Sequence, residues 1–125
     1  MSRRSVLFSP GDQPELLRKA PRSDADTVVF DLEDAVAPDS KPAAREAVRA
    51  VLSDPDFDPA CEVTVRVNAG ATAATDLDAV LTDDVRLDAV VVPKVADAGD
   101  VDRVAGLLAD AGRPLPILAL VESAA

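Results

Sequence analysis

Three carboxylates fall within four residues at Asp31, Glu33 and Asp34, directly after the β-branched run Thr27-Val28-Val29-Phe30. Asp31 and Glu33 share one face of an extended chain, so their repulsion raises a pKa unless a cation lies between them. The competing reading is a solvated loop in which Asp34 caps a helical turn. Arg66 and Asn68 alternate with Val65 and Val67, which makes one side of that strand end polar. A guanidinium there suits bidentate recognition of a keto acid or other acidic substrate, and equally an ion pair with the carboxylates of the preceding strand. The two roles are compatible. Lys94 follows Val90-Val91-Val92-Pro93 and reads as a counter-ion to Glu33 rather than a Schiff-base amine, since neighbouring carboxylates favour its protonated form. Glu122 closes the apolar run Ile117-Leu118-Ala119-Leu120-Val121, where a carboxylate suits a hard metal ion.

Composition narrows the chemistry further. Histidine is absent and Cys61 is the only cysteine, so a Ser-His-Asp triad, a Cys-His pair, an internal disulfide and an imidazole or multi-thiolate metal site are excluded. Carboxylate, lysine, arginine, hydroxyl and water remain. Such oxygen donors favour Mg²⁺ or Mn²⁺. Cys61 itself reads as packing. The net charge of −10 argues against nucleic acid and anionic membranes as partners. The acidic, lysine-poor surface is halophile-like. No apolar run is long enough to span a bilayer and the short basic start is not a signal peptide, so a cytoplasmic location is expected.

Each of these polar clusters must be carried by an element. Ser5 to Ser9 reads as a first strand, turned by Pro10-Gly11, with Asp12 and Glu15 set as a capping box for a helix through Ala20. Thr27 to Phe30 is a second strand. A helix capped by Asp39-Ser40 presents Ala44, Ala47, Val48, Val51 and Leu52 on one face and stops at Asp54-Pro55-Asp56. Val63 to Val67 is a third strand, and Leu77, Val80 and Leu81 mark a short third helix. Leu87 to Val92 forms a fourth strand, buried on both faces. Val101, Val104, Leu107, Leu108 and Ala111 mark a fourth helix with Gly112 at its C-cap, and Pro114 to Val121 carries a fifth strand.

Strand starts near positions 5, 27, 62, 89 and 117 are spaced by one strand-helix unit each, which predicts an α/β domain with a mostly parallel sheet. Parallel strands end on the same side, so all the polar clusters gather on one rim. Either a five-stranded doubly wound sheet or the first part of an eight-stranded barrel satisfies that order.

Five segments taken together are similar to one family. Ser9-Pro10-Gly11-Asp12, Val29-Phe30-Asp31-Leu32-Glu33-Asp34-Ala35-Val36, Val65-Arg66-Val67-Asn68, Val92-Pro93-Lys94-Val95 and Leu120-Val121-Glu122-Ser123-Ala124 resemble the citrate lyase β-subunit-like group of the HpcH/HpaI aldolases, in order over nearly the whole chain. The resemblance implies a (β/α)8 TIM barrel, of which the chain supplies about five strands and four helices as the N-terminal part of a single lyase domain. It implies Mg²⁺-dependent cleavage of a carbon–carbon bond in a coenzyme A thioester such as citryl-, malyl- or citramalyl-CoA. By the same likeness Arg66 binds substrate, Glu122 ligates the metal, Glu33 and Asp34 lie beside the metal's waters, and the protein is a homo-oligomer, a trimer or hexamer. A second metal aspartate is expected about one unit beyond Glu122, so the 125-residue chain alone is expected to have little or no lyase activity.

Two other readings compete. Phe30-Asp31-Leu32-Glu33 is similar to the strand end of haloacid-dehalogenase phosphatases, with Glu33 in place of their second aspartate. A non-enzymatic receiver-like (βα)5 module fits the size, but places Asn68 where a phosphoacceptor aspartate is expected.

Overall fold

The computed structural model describes residues 5–82, 85–93 and 98–119. Strand and helix alternate: β1 (Val6–Pro10), α1 (Pro14–Lys19), β2 (Thr27–Asp31), α2 (Lys41–Ser53), β3 (Glu62–Arg66), α3 (Thr72–Val80), β4 (Ala89–Val92), α4 (Ala98–Asp110) and β5 (Ile117–Ala119). Single 3-10 turns at Ala20–Arg22 and Pro38–Ser40 follow α1 and precede α2.

All strand pairings are parallel and the spatial order is β1-β2-β3-β4-β5. That order decides between the two architectures. A doubly wound sheet reverses direction part-way, so that some later strand lies beyond β1 and helices cover both faces. Here every strand pairs with its neighbour in sequence, and right-handed crossovers then place all the helices on one face. The helices pack in the same succession, α1 on α2, α2 on α3 and α3 on α4. This is the winding of a barrel wall. It also removes the receiver-like and dehalogenase-like readings, both of which need a doubly wound sheet.

Alternation along the strands sorts side chains between the two faces. Val28, Phe30, Val63, Val65, Val90 and Val92 join Leu17, Val48, Leu52, Leu77, Val104 and Leu108 in one core between sheet and helices. The opposite face carries polar layers. At its lower end Thr27 Oγ1 donates to Glu62 Oε1 at 2.8 Å, and at its upper end lie Asp31 and Arg66, which pair in register. Both faces of β2 are thus filled, and its five residues are all buried. On β1 the apolar Val6, Leu7 and Phe8 are exposed. No helix among the described residues is long and apolar enough to cross a membrane.

Several element ends differ from the sequence reading. Asp12 and Glu15 form no capping box, because Pro14 fixes the first helical position and Gln13 becomes the N-cap without a side-chain bond. Ser40 takes the N-cap position of α2 as expected, but its side chain makes no capping bond, because Asp39 and Ser40 lie in the 3-10 turn that leads into the helix. The third strand runs one residue earlier than expected, ending at Arg66, and the fourth begins only at Ala89. Gly112 does close α4 as expected, with φ +74°.

Gly11 joins the fold to the rim. Its N–H donates to the Asp31 carbonyl at 2.8 Å, and a Cβ built on it would lie 2.7 Å from that carbonyl oxygen and 3.0 Å from the Leu32 side chain. Only a residue without a side chain lets the turn after β1 seat against the end of β2. Gly11→Ala is therefore expected to destabilise the protein by about 1–3 kcal/mol through overpacking, measured by urea unfolding. Unchanged stability would show that the turn can withdraw from β2 at no cost.

Candidate functional site

Asp31 ends β2 with its carboxylate wholly buried, and four donors converge on it. Arg66 Nε reaches Oδ1 at 2.8 Å and Arg66 Nη2 reaches Oδ2 at 2.5 Å, while the N–H groups of Glu33 and Ala35 donate at 2.9 Å each. Burial pushes this carboxyl upward, but the Arg66 hydrogen bonds, the two backbone donors and the guanidinium charge outweigh it and hold the pKa below the ordinary value. Arg66 in turn is held protonated, first by its hydrogen bonds to Asp31 and then by the charges of Asp31, Glu33 and Asp34. The cation that the crowded carboxylates require is thus Arg66.

Arg66 gathers a third group and a ring. Glu33 Oε1 lies 3.8 Å from Nε, and the guanidinium carbon sits 4.8 Å from the centroid of Phe8 on β1. A cation over an aromatic face is held by the ring quadrupole without using any of its hydrogen-bond donors. Asp31 occupies the Nε–Nη2 edge of the guanidinium. A guanidinium carries five N–H hydrogens, so the Nη1–Nη2 edge keeps enough donors for a second carboxylate. The Arg66 side chain is 13% exposed, which leaves a limited approach to it.

The segment after Asp31 is fixed by its carbonyls. Lys41 Nζ donates to the carbonyls of Leu32 at 2.9 Å and Glu33 at 2.8 Å, and Asn68 Nδ2 donates to the Leu32 carbonyl at 2.8 Å. Of the expected site residues, the structure brings together Arg66 and Glu33 and leaves Asp34 exposed beside them. Asn68 does not share the face of Arg66: β3 has ended, and its side chain turns to Leu32 and to Asp76 on α3. Lys94 and Glu122 lie outside the described residues. Cys61, at the opposite end of β3, packs partly buried against the core, and burial pushes its thiol up.

Among the described residues no three potential ligands converge on a metal position. Asp31 has its oxygens engaged by Arg66 and two backbone N–H groups, so it is a poor ligand. Glu33 and Asp34 supply oxygen donors of the hard kind, but they do not close a site between them.

The anchor pair can be tested by acid. The Asp31 pKa is lower folded than unfolded, so its contribution to stability is complete above the unfolded value near 3.8 and is lost as pH falls through the lower folded value. Arg66→Ala strands a buried carboxylate and is expected to cost about 3–5 kcal/mol at pH 7. As pH falls from 7 that difference should shrink, because the stranded carboxyl, pushed up by burial, takes up its proton above 3.8, while the parent loses the Asp31 contribution only below it. Urea unfolding of both proteins at pH 7 and pH 3 measures it, and a difference independent of pH would contradict the assignment.

Comparison with known proteins identifies relatives of the whole chain. The chain is 39% identical over 121 residues to a (3S)-malyl-CoA thioesterase of Cereibacter sphaeroides, covering 97% of this chain and 41% of that protein. It is 43% identical over 128 residues to a citrate lyase subunit beta-like protein of Deinococcus radiodurans, covering 98% of this chain and 44% of that one. The chain thus spans less than half the length of these curated relatives. Among solved structures, CitE of Mycobacterium tuberculosis in complex with magnesium, acetoacetate and coenzyme A superposes with a TM-score of 0.73 at 38% identity, over 98% of this chain and 42% of that one. The same organism's citrate lyase beta subunit with oxaloacetate and magnesium gives a TM-score of 0.72 at 38% identity, over 98% and 50%. The five parallel strands and four helices are therefore part of a TIM-barrel wall. The family model for HpcH/HpaI aldolase/citrate lyase matches residues 4–125, and the chain belongs to that family.

Proposed function

We propose that this chain is the N-terminal part of a Mg²⁺-dependent carbon–carbon lyase that cleaves a 3-hydroxyacyl-CoA thioester, such as citryl-, malyl- or citramalyl-CoA, into an acyl-CoA and a keto acid. The observation that carries this reading is the divided guanidinium of Arg66, with one edge clamped by Asp31 and the other left with donors at the strand ends. Ordinary ion pairing uses an arginine up. Here the buried carboxylate fixes the plane of the guanidinium before any ligand arrives, so the cost of orienting it is already met.

On this reading the Nη1–Nη2 edge takes the carboxylate of the keto acid and the oxygen beside it. In the cleavage direction the 3-hydroxyl loses its proton, the adjacent carbon–carbon bond breaks, and its electron pair passes into the thioester as an enolate that is then protonated. The former hydroxyl oxygen becomes the keto oxygen and carries negative charge on the way. A fixed, always-protonated guanidinium aimed at that oxygen lowers the barrier because it has no reorganisation to make. Glu33 and Asp34 would lie beside the metal's waters and Glu122 would ligate the metal. When bound, Mg²⁺ would add Lewis-acid polarisation of the same oxygen. A homo-oligomer binding a small acyl-CoA belongs to the same proposal.

A second reading comes from the malyl-CoA thioesterase relatives, whose name describes hydrolysis of the thioester instead. One assay separates the two. The chain is joined to the C-terminal remainder of the Deinococcus radiodurans relative and given malyl-CoA or citramalyl-CoA with Mg²⁺. Lyase action releases acetyl-CoA with no free thiol, and Arg66→Ala should lower kcat about 10²- to 10³-fold, as loss of an oxyanion donor does. Release of free coenzyme A alone would favour the thioesterase. A folded chimera that turns over neither substrate would sink both.

A further inference from the structure

Behind the rim lies a buried polar chain that the reaction, as proposed, does not use. Asp76 is 0% exposed although it sits on α3 among Ala73, Leu77 and Val80, a stripe otherwise apolar. Its Oδ1 accepts from Arg45 Nε of α2 at 2.8 Å. Its Oδ2 accepts from the backbone N–H of Asn68 at 2.7 Å and from Asn68 Nδ2 at 2.8 Å. Asn68 Nδ2 also donates to the carbonyl of Leu32 at 2.8 Å. A carboxamide has two hydrogens on nitrogen, and both are therefore spent inside the protein. The flipped orientation would set an oxygen against a carboxylate and a carbonyl, so the arrangement admits one orientation only.

We propose that Asp76 is a positioning residue of the site, acting through Asn68 in two ways. It holds the Asn68 amide with its donor side inward, so that only the Oδ1 acceptor remains for a ligand. It also braces, through the Leu32 carbonyl, the segment that carries Glu33 and Asp34. The ligand group that suits an acceptor is a hydrogen-bond donor, such as a substrate hydroxyl or a metal-bound water; that identification rests on the lyase reading, whereas the bracing does not. Arg45 has a different task. Its guanidinium neutralises Asp76, and a buried carboxylate left uncompensated would be strongly unfavourable.

Substitutions at one position separate these tasks. Asp76→Ala removes both acceptors, while Asp76→Asn keeps a carbonyl for Asn68 and gives up the pair with Arg45. Hydrogen exchange and the Asn68 side-chain amide signals are followed by NMR in the 15N-labelled chain, with no substrate and no turnover required. In the parent the two Asn68 Nδ2 protons should exchange about tenfold or more slowly than an exposed asparagine amide, as hydrogen-bonded groups do. Asp76→Ala should abolish that protection and lower protection of the Glu33 and Ala35 amides by about tenfold. Asp76→Asn should lose global stability yet retain the Asn68 signature. Should Asp76→Ala not fold, Arg45→Leu serves beside Asp76→Asn: it too should keep the Asn68 signature while losing stability. Free exchange at Asn68 in the parent would overturn the proposal. Equal loss of the signature in the folded variants would also overturn it, by showing that order on the rim follows overall stability rather than Asp76. Failure of the lyase reading would appear as absent acetyl-CoA with these exchange patterns intact.

Discussion

The site depends on one ion pair, the bidentate contact of Arg66 with the buried carboxylate of Asp31. A carboxylate fully removed from water is tolerated only if its lone pairs are met, and here two guanidinium donors and two backbone N–H groups meet them. The arrangement binds β2 to β3 at their C-terminal ends, gives the turn after β2 its shape through the Glu33 and Ala35 amides, and fixes the plane of the guanidinium. Phe8 supports that plane from β1. Three neighbouring strands thus share in orienting one cation.

Further polar contacts tie the strand ends to the helices. Lys41 from α2 and Asn68 from the end of β3 both donate to the Leu32 carbonyl, and Asp76 on α3 holds Asn68. The acidic segment is therefore tied to two helices as well as to its own strand. Loops that carry functional groups are usually the mobile parts of a barrel. Here the Leu32 and Glu33 carbonyls are bonded to Lys41 and Asn68, and the Glu33 N–H to the Asp31 carboxylate, which keeps Glu33 near Arg66.

Much of this was legible in the sequence. Alternating apolar runs and helical stripes gave all five strands and four helices, because the central strands β2, β3 and β4 are buried and must read as apolar, and the outer ones keep the same β-branched or apolar character. Arg66 and the second-strand carboxylates were recognised as partners, but which carboxylate took the arginine was not. Glu33 and Asp34 share the acidic run with Asp31, and only the register of β2 against β3 sets Asp31 opposite Arg66. The first helix start was misread where Asp12 looked like a cap, since Pro14 sets that end instead, whereas Ser40 does stand at the N-cap of α2 without a side-chain bond there. Asp76 was missed although its signal was present: a charge at the i+3 position of the stripe Ala73, Leu77, Val80 is a group that must find partners. Phe8 and Lys41 carried no such signal, for their roles depend on neighbours distant in sequence.

The strictly sequential strand order also bears on how the chain reaches this structure. Each strand meets the one just before it, so no pairing requires closing a loop longer than one strand-helix unit. Relative to a doubly wound sheet, in which strands must wait for partners made much later, such winding keeps the separation of contacting residues short and favours faster folding. A chain emerging from the ribosome can add one unit at a time to a growing wall. The clamp between Asp31 and Arg66 then becomes available as soon as the third strand has emerged, well before the rest of the rim exists.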